Sequence, residues 1–506
     1  MSGKDTIPPR EIELKLLFAH QARALLDRHL AAASGGGGRR RHLVTTYYDS
    51  PDLSLWQSGL SLRIRRAGRQ RIQTLKAVGE GNQPALDRRE WEWVIKSDQP
   101  DLSKLAGTPF GPQVTAIQEK LAPVWVSDVQ RTTYMVRHDG AMVAAAIDEG
   151  CVRAGDARAM VRELELEIRD GPARSLYGLA LALQAVVPLR LGVLAKAERG
   201  YHLLTGAPAA ALRGSTPVLD GKMTLADGFS TLIRSGLNTL IHNQPAAEAG
   251  DPEGIHQMRV AIRQLRTMLQ MIASGESDHS VLNLFQSELR RIGRGLGEAR
   301  DWDVLCLETL PAAFAAHGDK DLIRMLVDAA QAQRRVAHQQ LCQELGTPAL
   351  TTLVLSLAVW IEEAAFPKGA GQVVSLSHAA LELLDRLARK AGRKGRHIGE
   401  LSPDERHDLR KALKKLRYGV TYFSALYPSR AVETYMRRCR VLLRHLGENN
   451  DATVAATLIR TLGAAHLELA PVAGIFARWN DKRQHHALHA LASAWKVFRD
   501  TRPFWH

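Results

Sequence analysis

Two blocks in the second half of this 506-residue chain recur at one spacing, and that repetition limits the possible folds more than any other feature. His256, Arg259, Arg263 and Arg266 return as His407, Arg410, Lys414 and Arg417, 151 residues on. Leu296-Gly297-Glu298 with Arg300 and Asp301 returns as Leu446-Gly447-Glu448 with Asn450 and Asp451, 150 residues on. Both blocks lie in long Leu/Ala/Arg-rich segments of helical period. At about 100° per residue the four basic positions of each copy fall on one stripe about 80° wide. The spacing therefore predicts two related helical bundles, with Lys411 and Lys415 widening the second stripe and Arg290, Arg291, Arg294, Arg437, Arg438, Arg440 and Arg444 on later helices.

The first half has another period. From about Pro9 to Leu204, short segments alternate apolar and polar residues between Gly, Pro and Asp turns: 10–18, 42–49, 60–67, 70–77, 89–96, 132–138, 142–148 and 160–169. Helices are expected over 20–33 and 175–187, and Gly35 to Arg41 reads as a loop. The expected organisation is a strand-rich domain over 9–204, a linker over 205–220, and a helical domain over 221–506 with repeats near 225–345 and 376–500. Residues 345–375 between the repeats are less readable, and Trp360 there looks like core.

A net charge of +15 and a pI near 9.8 favour a polyanionic partner: nucleic acid, polyphosphate or an acidic membrane surface. Four scattered cysteines without a C-x-x-C pair suit a reducing compartment. No stretch approaches the ~20 apolar residues of a membrane helix and the N-terminus lacks an apolar leader core, so a cytoplasmic protein without membrane attachment is expected.

In the first half, charge segregates by strand. Glu11, Glu13 and Lys15 share one face; so do Arg63 with Arg65, Glu90 with Glu92, and Glu163 with Glu165 and Glu167. Any one such strand could simply face water. Together, acidic and basic strands with apolar opposite faces predict an antiparallel barrel with a polar interior and flanking helices, hence an α+β class overall. Clustered carboxylates suit hard divalent ions, and clustered Arg and Lys suit phosphate oxygens. The combination describes a metal–triphosphate site.

These residues resemble the CYTH family, or triphosphate tunnel metalloenzymes. The resemblance runs from Glu11-x-Glu13-x-Lys15 through Leu62-Arg63-Ile64-Arg65, Thr74-Leu75-Lys76, Arg89-Glu90-Trp91-Glu92, Ile147-Asp148-Glu149-Gly150 and Glu163–Glu167 to Lys196-Ala197-Glu198-Arg199-Gly200. It implies a divalent metal, Mg²⁺ or Mn²⁺, held by Glu11, Glu13, Asp148, Glu165 and Glu167. It implies triphosphate held by Lys15, Arg63, Arg65, Lys76, Lys196 and Arg199, with catalytic roles for Glu13, Lys15 and Lys76. Ala195 departs from a common Ser, and Tyr47 and Tyr48 read as core rather than ligands.

The duplicated half resembles the CHAD domain, the conserved histidine α-helical domain. That resemblance implies polyphosphate binding by His256, Arg259, Arg263, Arg266, Arg294, His407, Arg410, Lys411, Lys414, Arg417, Arg440 and Arg444, without catalysis of its own. The leading expectation is thus an inorganic triphosphatase acting on PPPi, with inorganic polyphosphate as partner and an association with polyphosphate granules compatible. Thiamine triphosphatase, a class IV-type adenylate cyclase and a non-catalytic granule-binding protein remain alternatives. Nucleic acid is disfavoured, since no helix-turn-helix, RRM or zinc module is recognisable.

Overall fold

The computed structural model describes residues 13–77, 89–273, 280–315, 320–363 and 375–506. The chain forms two compact units, with the first boundary between Ala210 and Ala211.

The first unit is one antiparallel sheet of nine strands: β1 (Glu13–Phe18), β2 (Arg39–Asp49), β3 (Leu60–Ala67), β4 (Gln70–Ala77), β5 (Arg89–Ile95), β6 (Ala122–His138), β7 (Ala141–Ala154), β8 (Ala157–Asp170) and β9 (Leu189–Leu191). Their order is β5-β4-β3-β2-β6-β7-β8-β1-β9. Before residue 206 it is accompanied, among the described residues, by α1 (Arg23–Ser34), α2 (Ser54–Gln57), α3 (Gly111–Ala116), α4 (Ala173–Gln184) and α5 (Lys196–Thr205).

Most expected strands are present, but two readings need correction. Arg39 to Arg41 begin β2 instead of lying in a loop, since they pair with Arg131 to Thr133. The segment expected over 132–138 is only the end of β6, which begins at Ala122 and pairs with β2 from there and with β7 from Val126 onward. The β6–β7 hairpin closes on Asp139-Gly140, both with positive φ, as a two-residue turn of the twist-matching type requires.

Among the described residues the sheet is not a closed barrel: β5 and β9 are its two ends. The reason is visible at β9. The Leu189 N–H donates to Gln184 Oε1 at 2.8 Å and the Leu191 N–H to Thr351 Oγ1 at 3.1 Å, so side chains satisfy this edge where a strand would. The sheet nevertheless curls strongly. Arg65 on β3 lies in the electrostatic field of Glu165 on β8 although three strands intervene, a span of about 19 Å in a flat sheet.

The outer face is apolar. Leu62, Ile64 and Leu75 pack with Tyr48, Trp91, Trp93 and, from the connecting segments, Leu105 and Val114. α4 covers β6, β7 and β8 with buried Leu176, Leu179, Ala180 and Leu183. On this side Arg23 ties α1 to the sheet through Glu149, with Nε–Oε2 at 3.0 Å.

The helices that follow are α6 (Leu225–His242), α7 (Gln244–Glu248), α8 (Pro252–Ala273), α9 (Ser280–Val304), α10 (Leu310–Phe314), α11 (Lys320–Leu345), α12 (Ala349–Glu362), α13 (Leu376–Lys394), α14 (Pro403–Phe423), α15 (Ser429–Ala465) and α16 (Ala470–Arg499). One of them is not part of the second unit. The stretch from Leu345 through α12 returns to the first, where α12 packs on α4 and β9 and buries Leu353, Leu357 and Trp360.

In the second unit α8 packs on α6 and α9, and α14 on α13 and α15. The duplicated blocks occupy corresponding helices, α8 with α14 and α9 with α15. Where α15 runs unbroken for 37 residues, the first copy has a π-helical turn, Leu305–Thr309, between α9 and α10. Pro311 accounts for the difference: it offers no N–H to the preceding turn, and the helix widens just before it. Among the described residues no single helix is long and apolar enough to cross a membrane.

Candidate functional site

Strand register alone puts the charged residues on one face. Glu13 faces Glu167 and Lys15 faces Glu165 across β1 and β8; Asp148 faces Glu163 across β7 and β8, and Arg131 across β6 and β7. On the other arm Tyr47 faces Arg63, Thr45 faces Arg65, and Lys76 faces Glu90. Because neighbours in register share a face, acids from β1, β7 and β8 and bases from β3 and β4 line the inside of the curl.

The acids come first. Asp148 and Glu163 are fully buried, and with Glu165 each places one carboxylate oxygen within 4.8 Å of the others. Cations of this chain already fill that cluster. Arg131 donates to Asp148 Oδ1 at 2.7 Å and Oδ2 at 2.6 Å and also to Glu165. Lys196 Nζ reaches Asp148 Oδ2 at 2.7 Å, Glu165 Oε1 at 2.8 Å, and Glu163. Arg199 reaches Glu163 at 3.0 Å and Lys15 reaches Glu165 at 3.8 Å. Burial opposes ionisation of Glu165, yet Lys196, Arg131 and Lys15 hold its carboxyl well below the usual carboxylate range. Burial likewise opposes the charge on Lys196, and Glu165, Glu163 and Asp148 outweigh it, raising the ammonium above the ordinary lysine value.

The arrangement departs from the role expected of three residues. Asp148, read as a metal ligand, has both oxygens held by Arg131, and Lys196 and Arg199, read as phosphate ligands, are bound to acids. A self-neutralising network satisfies buried charges that would otherwise be costly. Lys196 and Arg199 get there because α5 lies across β6, β7 and β8. Gly200 permits that approach: a Cβ there would stand 2.2 Å from the Trp125 ring. At the start of α5, Glu198 accepts the Ala195 N–H at 2.6 Å, while Ala195 offers no oxygen in return.

Glu13 and Glu167 are different. They oppose each other in register near the end of β1, and like charges so placed repel. Arg169 reaches Glu167 at 2.7 Å from a half-exposed position. This carboxylate pair offers the oxygen chemistry that hard divalent ions such as Mg²⁺ or Mn²⁺ take, next to Asp148, Glu163 and Glu165, whose oxygens lie within 4.8 Å of one another. Glu11 lies outside the described residues.

The bases face it. Arg63 is buried; it donates to Glu90 at 3.3 Å and to the Tyr47 hydroxyl at 3.4 Å, and Lys76 reaches Glu90 at 2.5 Å. Burial favours a neutral Tyr47 phenol, but Arg63, Arg65 and Lys76 bring its pKa below the usual value. Tyr47 is thus core by its stacking on Trp125, at 3.6 Å, and site by its hydroxyl. The Arg65 guanidinium has no hydrogen bond or ion pair with a described residue. The Arg63 charge, burial and the Arg131 charge push its guanidinium down to about 10. An arginine crowded by two cations is built to receive an anion.

Arg131 and Glu163 are functional-site residues that the sequence reading did not assign. The signal for Arg131 was present: counting eight residues back from Asp139 on one strand and eight onward from Gly140 on the other sets Arg131 opposite Asp148.

In the second unit the two basic stripes meet. Arg259 on α8 donates to Asp301 at 2.9 Å and to the Gly297 carbonyl at 3.0 Å. Arg410 on α14 repeats the relation more loosely, 3.9 Å from Asp451 and against Gly447. Arg263 feels Arg259 from its own helix and Arg417 and Tyr418 from α14, and Arg410 in turn feels Arg263 and Arg259. His256 is lowered by burial and by Arg300, whereas His407 meets Asn450 Oδ1 at 3.0 Å, so the two histidines differ as Arg300 differs from Asn450. Arg266 belongs elsewhere, with Arg290 and Lys415. Lys411 pairs with Asp408 at 3.2 Å, Arg440 donates to Met436 of its own helix at 3.3 Å, and Arg294 and Arg444 are exposed.

A curled antiparallel sheet with facing acids and bases, followed by a duplicated basic helical unit, defines the class of protein. Residues 9–201 match the CYTH domain and residues 231–460 the CHAD domain, so the chain is a CYTH–CHAD protein. It is 29% identical over 201 residues to the inorganic triphosphatase of Haemophilus influenzae, a match covering 39% of this chain and 56% of that protein. The match thus spans little more than half the length of that relative. The crystal structure of the CHAD domain from the plant Ricinus communis superposes with a TM-score of 0.52 at 25% identity, over 58% of this chain and 99% of that one.

Proposed function

We propose that this protein is a metal-dependent inorganic triphosphatase that hydrolyses PPPi to pyrophosphate and phosphate, and that its helical unit binds polyphosphate. The observation that carries the first part is Arg65: a partly exposed cation whose side chain has no ionic partner among the described residues, on the face of Arg63 and Lys76 and within the field of Glu165 on β8. Likeness of the first domain to an inorganic triphosphatase supports the same reading.

In this account the curled sheet is the triphosphate tunnel. Arg63, Arg65 and Lys76 hold phosphate oxygens, with Arg63 and Lys76 kept in place by Glu90. Lys15 stands between Glu165 and the tunnel. Glu13, Glu165 and Glu167, with Glu11, would hold Mg²⁺ or Mn²⁺, which when bound supplies charge neutralisation at the phosphate oxygens. Arg131 and Lys196 fix Asp148 and Glu165, so the acidic wall does not collapse onto the bases. Water attacks the terminal phosphorus in line, forming one P–O bond as the anhydride bond to the next phosphate breaks.

The second unit reads as two related bundles whose equivalent helices, α6 and α13, α8 and α14, α9 and α15, touch pairwise. The channel they share has more cations than acids and suits a flexible phosphate chain. A cytoplasmic setting near polyphosphate granules follows from such a partner.

The test is phosphate release from PPPi, thiamine triphosphate, ATP and defined polyphosphates, with and without each metal, alongside polyphosphate binding measured at rising salt. Metal-dependent turnover of PPPi above the others, with salt-sensitive binding, is expected. Preference for ATP with cyclisation would instead make the protein a cyclase, and binding without turnover a granule binder.

A further inference from the structure

The basic face that α8 and α14 share, read above as the polyphosphate channel, is unbalanced in charge. α8 supplies Arg259 and Arg263, and α14 supplies Arg410, Lys414 and Arg417. Facing carboxylates come from Asp301, already committed to Arg259 at 2.9 Å, and Asp451, a loose 3.9 Å from Arg410. Lys414 sits in the middle: Arg410 precedes it by one turn of α14, Arg259 and Arg263 face it from α8, and Asp451 faces it from α15. From α13, Lys390 faces Lys415. The Tyr418 phenol faces Arg263, and the Arg417 guanidinium lies 4.9 Å over the Tyr418 ring. In the free protein, then, a lysine lies among three guanidinium groups with one carboxylate, Asp451, in compensation.

We propose that this channel takes up a proton as it binds a polyphosphate chain, and that the Lys414 amine receives it. The inference rests on the polyphosphate-binding reading and adds its regulation: binding strengthens as the solution becomes more acidic. Burial, then Arg410, Arg263 and Arg259, push the Lys414 ammonium down to about 6, with Asp451 alone opposing them. Near pH 7.5 the free channel therefore holds Lys414 mainly as a neutral amine. A phosphate chain entering between α8 and α14 replaces net repulsion with attraction. The nitrogen lone pair then accepts one proton from the buffer, and the resulting ammonium faces phosphate oxygens. The uncharged amine also spares the empty channel one further buried repulsion. The His256 imidazole, on α8, is likewise held below the ordinary histidine value by burial and Arg300, with Glu253 opposing and Arg263 and Arg259 adding to the effect. The Lys414 variants, and not the choice of pH, therefore identify the proton acceptor.

The experiment is calorimetric titration of the full chain with long-chain polyphosphate, whose internal phosphates carry no proton near neutrality. It is run at pH 7.5 in two buffers of different ionisation enthalpy, with affinities measured from pH 6.5 to 8.5. The expected result is uptake of about one proton per binding event and affinity falling up to about tenfold per pH unit. Lys414→Met should bind without uptake at pH 7.5, match the native chain near pH 8.5, and fall behind it at pH 6.5. Lys414→Arg, which stays charged, should bind without uptake, keeping the test informative if the Met variant folds poorly. Tight binding by the native chain with no proton uptake would overturn the proposal, as would native-like uptake in both variants. Failure of the native chain to bind polyphosphate at any pH would overturn the underlying reading as well.

Discussion

Arg131 and Asp148 face each other across β6 and β7, and the guanidinium holds both carboxylate oxygens, at 2.7 and 2.6 Å. Asp148 is wholly buried, so this pairing decides whether the acidic wall survives. Arg131→Met leaves Asp148 and Glu165 with Lys196 as their main counter-charge. Removing one partner from a buried ion pair costs about 3–5 kcal/mol. Urea unfolding should show a loss of that order, and turnover of PPPi should fall with it.

Gly200 sets how closely α5 approaches the sheet. Gly200→Ala places a methyl group 2.2 Å from the Trp125 ring, which is itself stacked on Tyr47. Overpacking of this kind costs about 1–3 kcal/mol. Thermal melting should register that loss, and turnover should drop because Lys196 and Arg199 ride on the displaced helix.

α12 belongs with the curled sheet although it lies in sequence between the helical repeats. Thr351→Val keeps the shape and removes the acceptor of the Leu191 N–H. An unsatisfied buried donor costs about 1–3 kcal/mol. Hydrogen exchange should show faster exchange at Leu191, and melting should begin earlier.

Lys414 makes stability depend on pH in a definite direction. Its folded pKa of about 6 lies below its unfolded value of about 10.4, so between those values the unfolded chain binds the extra proton. Stability from this group is complete above pH ~10 and declines as pH falls toward 6. Without polyphosphate, the melting temperature of Lys414→Met relative to the native chain should therefore rise as pH is lowered from 9 to 6.5.

Much of this architecture was legible in residue order because periodicity carries it. The alternation of Glu163, Glu165 and Glu167 against Leu164 and Leu166 put three carboxylates on one face of β8, and the 151-residue offset put His256 and His407 on corresponding helices. What the sequence hid was pairing at long range. Arg131 lies in a polar stretch without clean alternation, and its role emerges only through register with Asp148. Lys196 could be recognised as a site residue, but not that three carboxylates would claim it, since that depends on where α5 docks. Barrel closure failed for a similar reason: Thr351 and Gln184, distant in sequence or on a flanking helix, satisfy the β9 edge.

The central claim is that facing acids and bases inside the curled sheet form a metal-dependent site for PPPi. Orthophosphate release from PPPi should be followed with Mg²⁺, Mn²⁺ or chelator, for the native chain and for Glu167→Gln, which preserves shape and removes one carboxylate from the pair opposite Glu13. The account predicts turnover by the native chain that chelator abolishes, and a loss of about 100-fold or more in the variant, comparable to about 2.7 kcal/mol of transition-state stabilisation. A native chain inert toward PPPi with both metals, or a Glu167→Gln variant as active as the native chain, would contradict it.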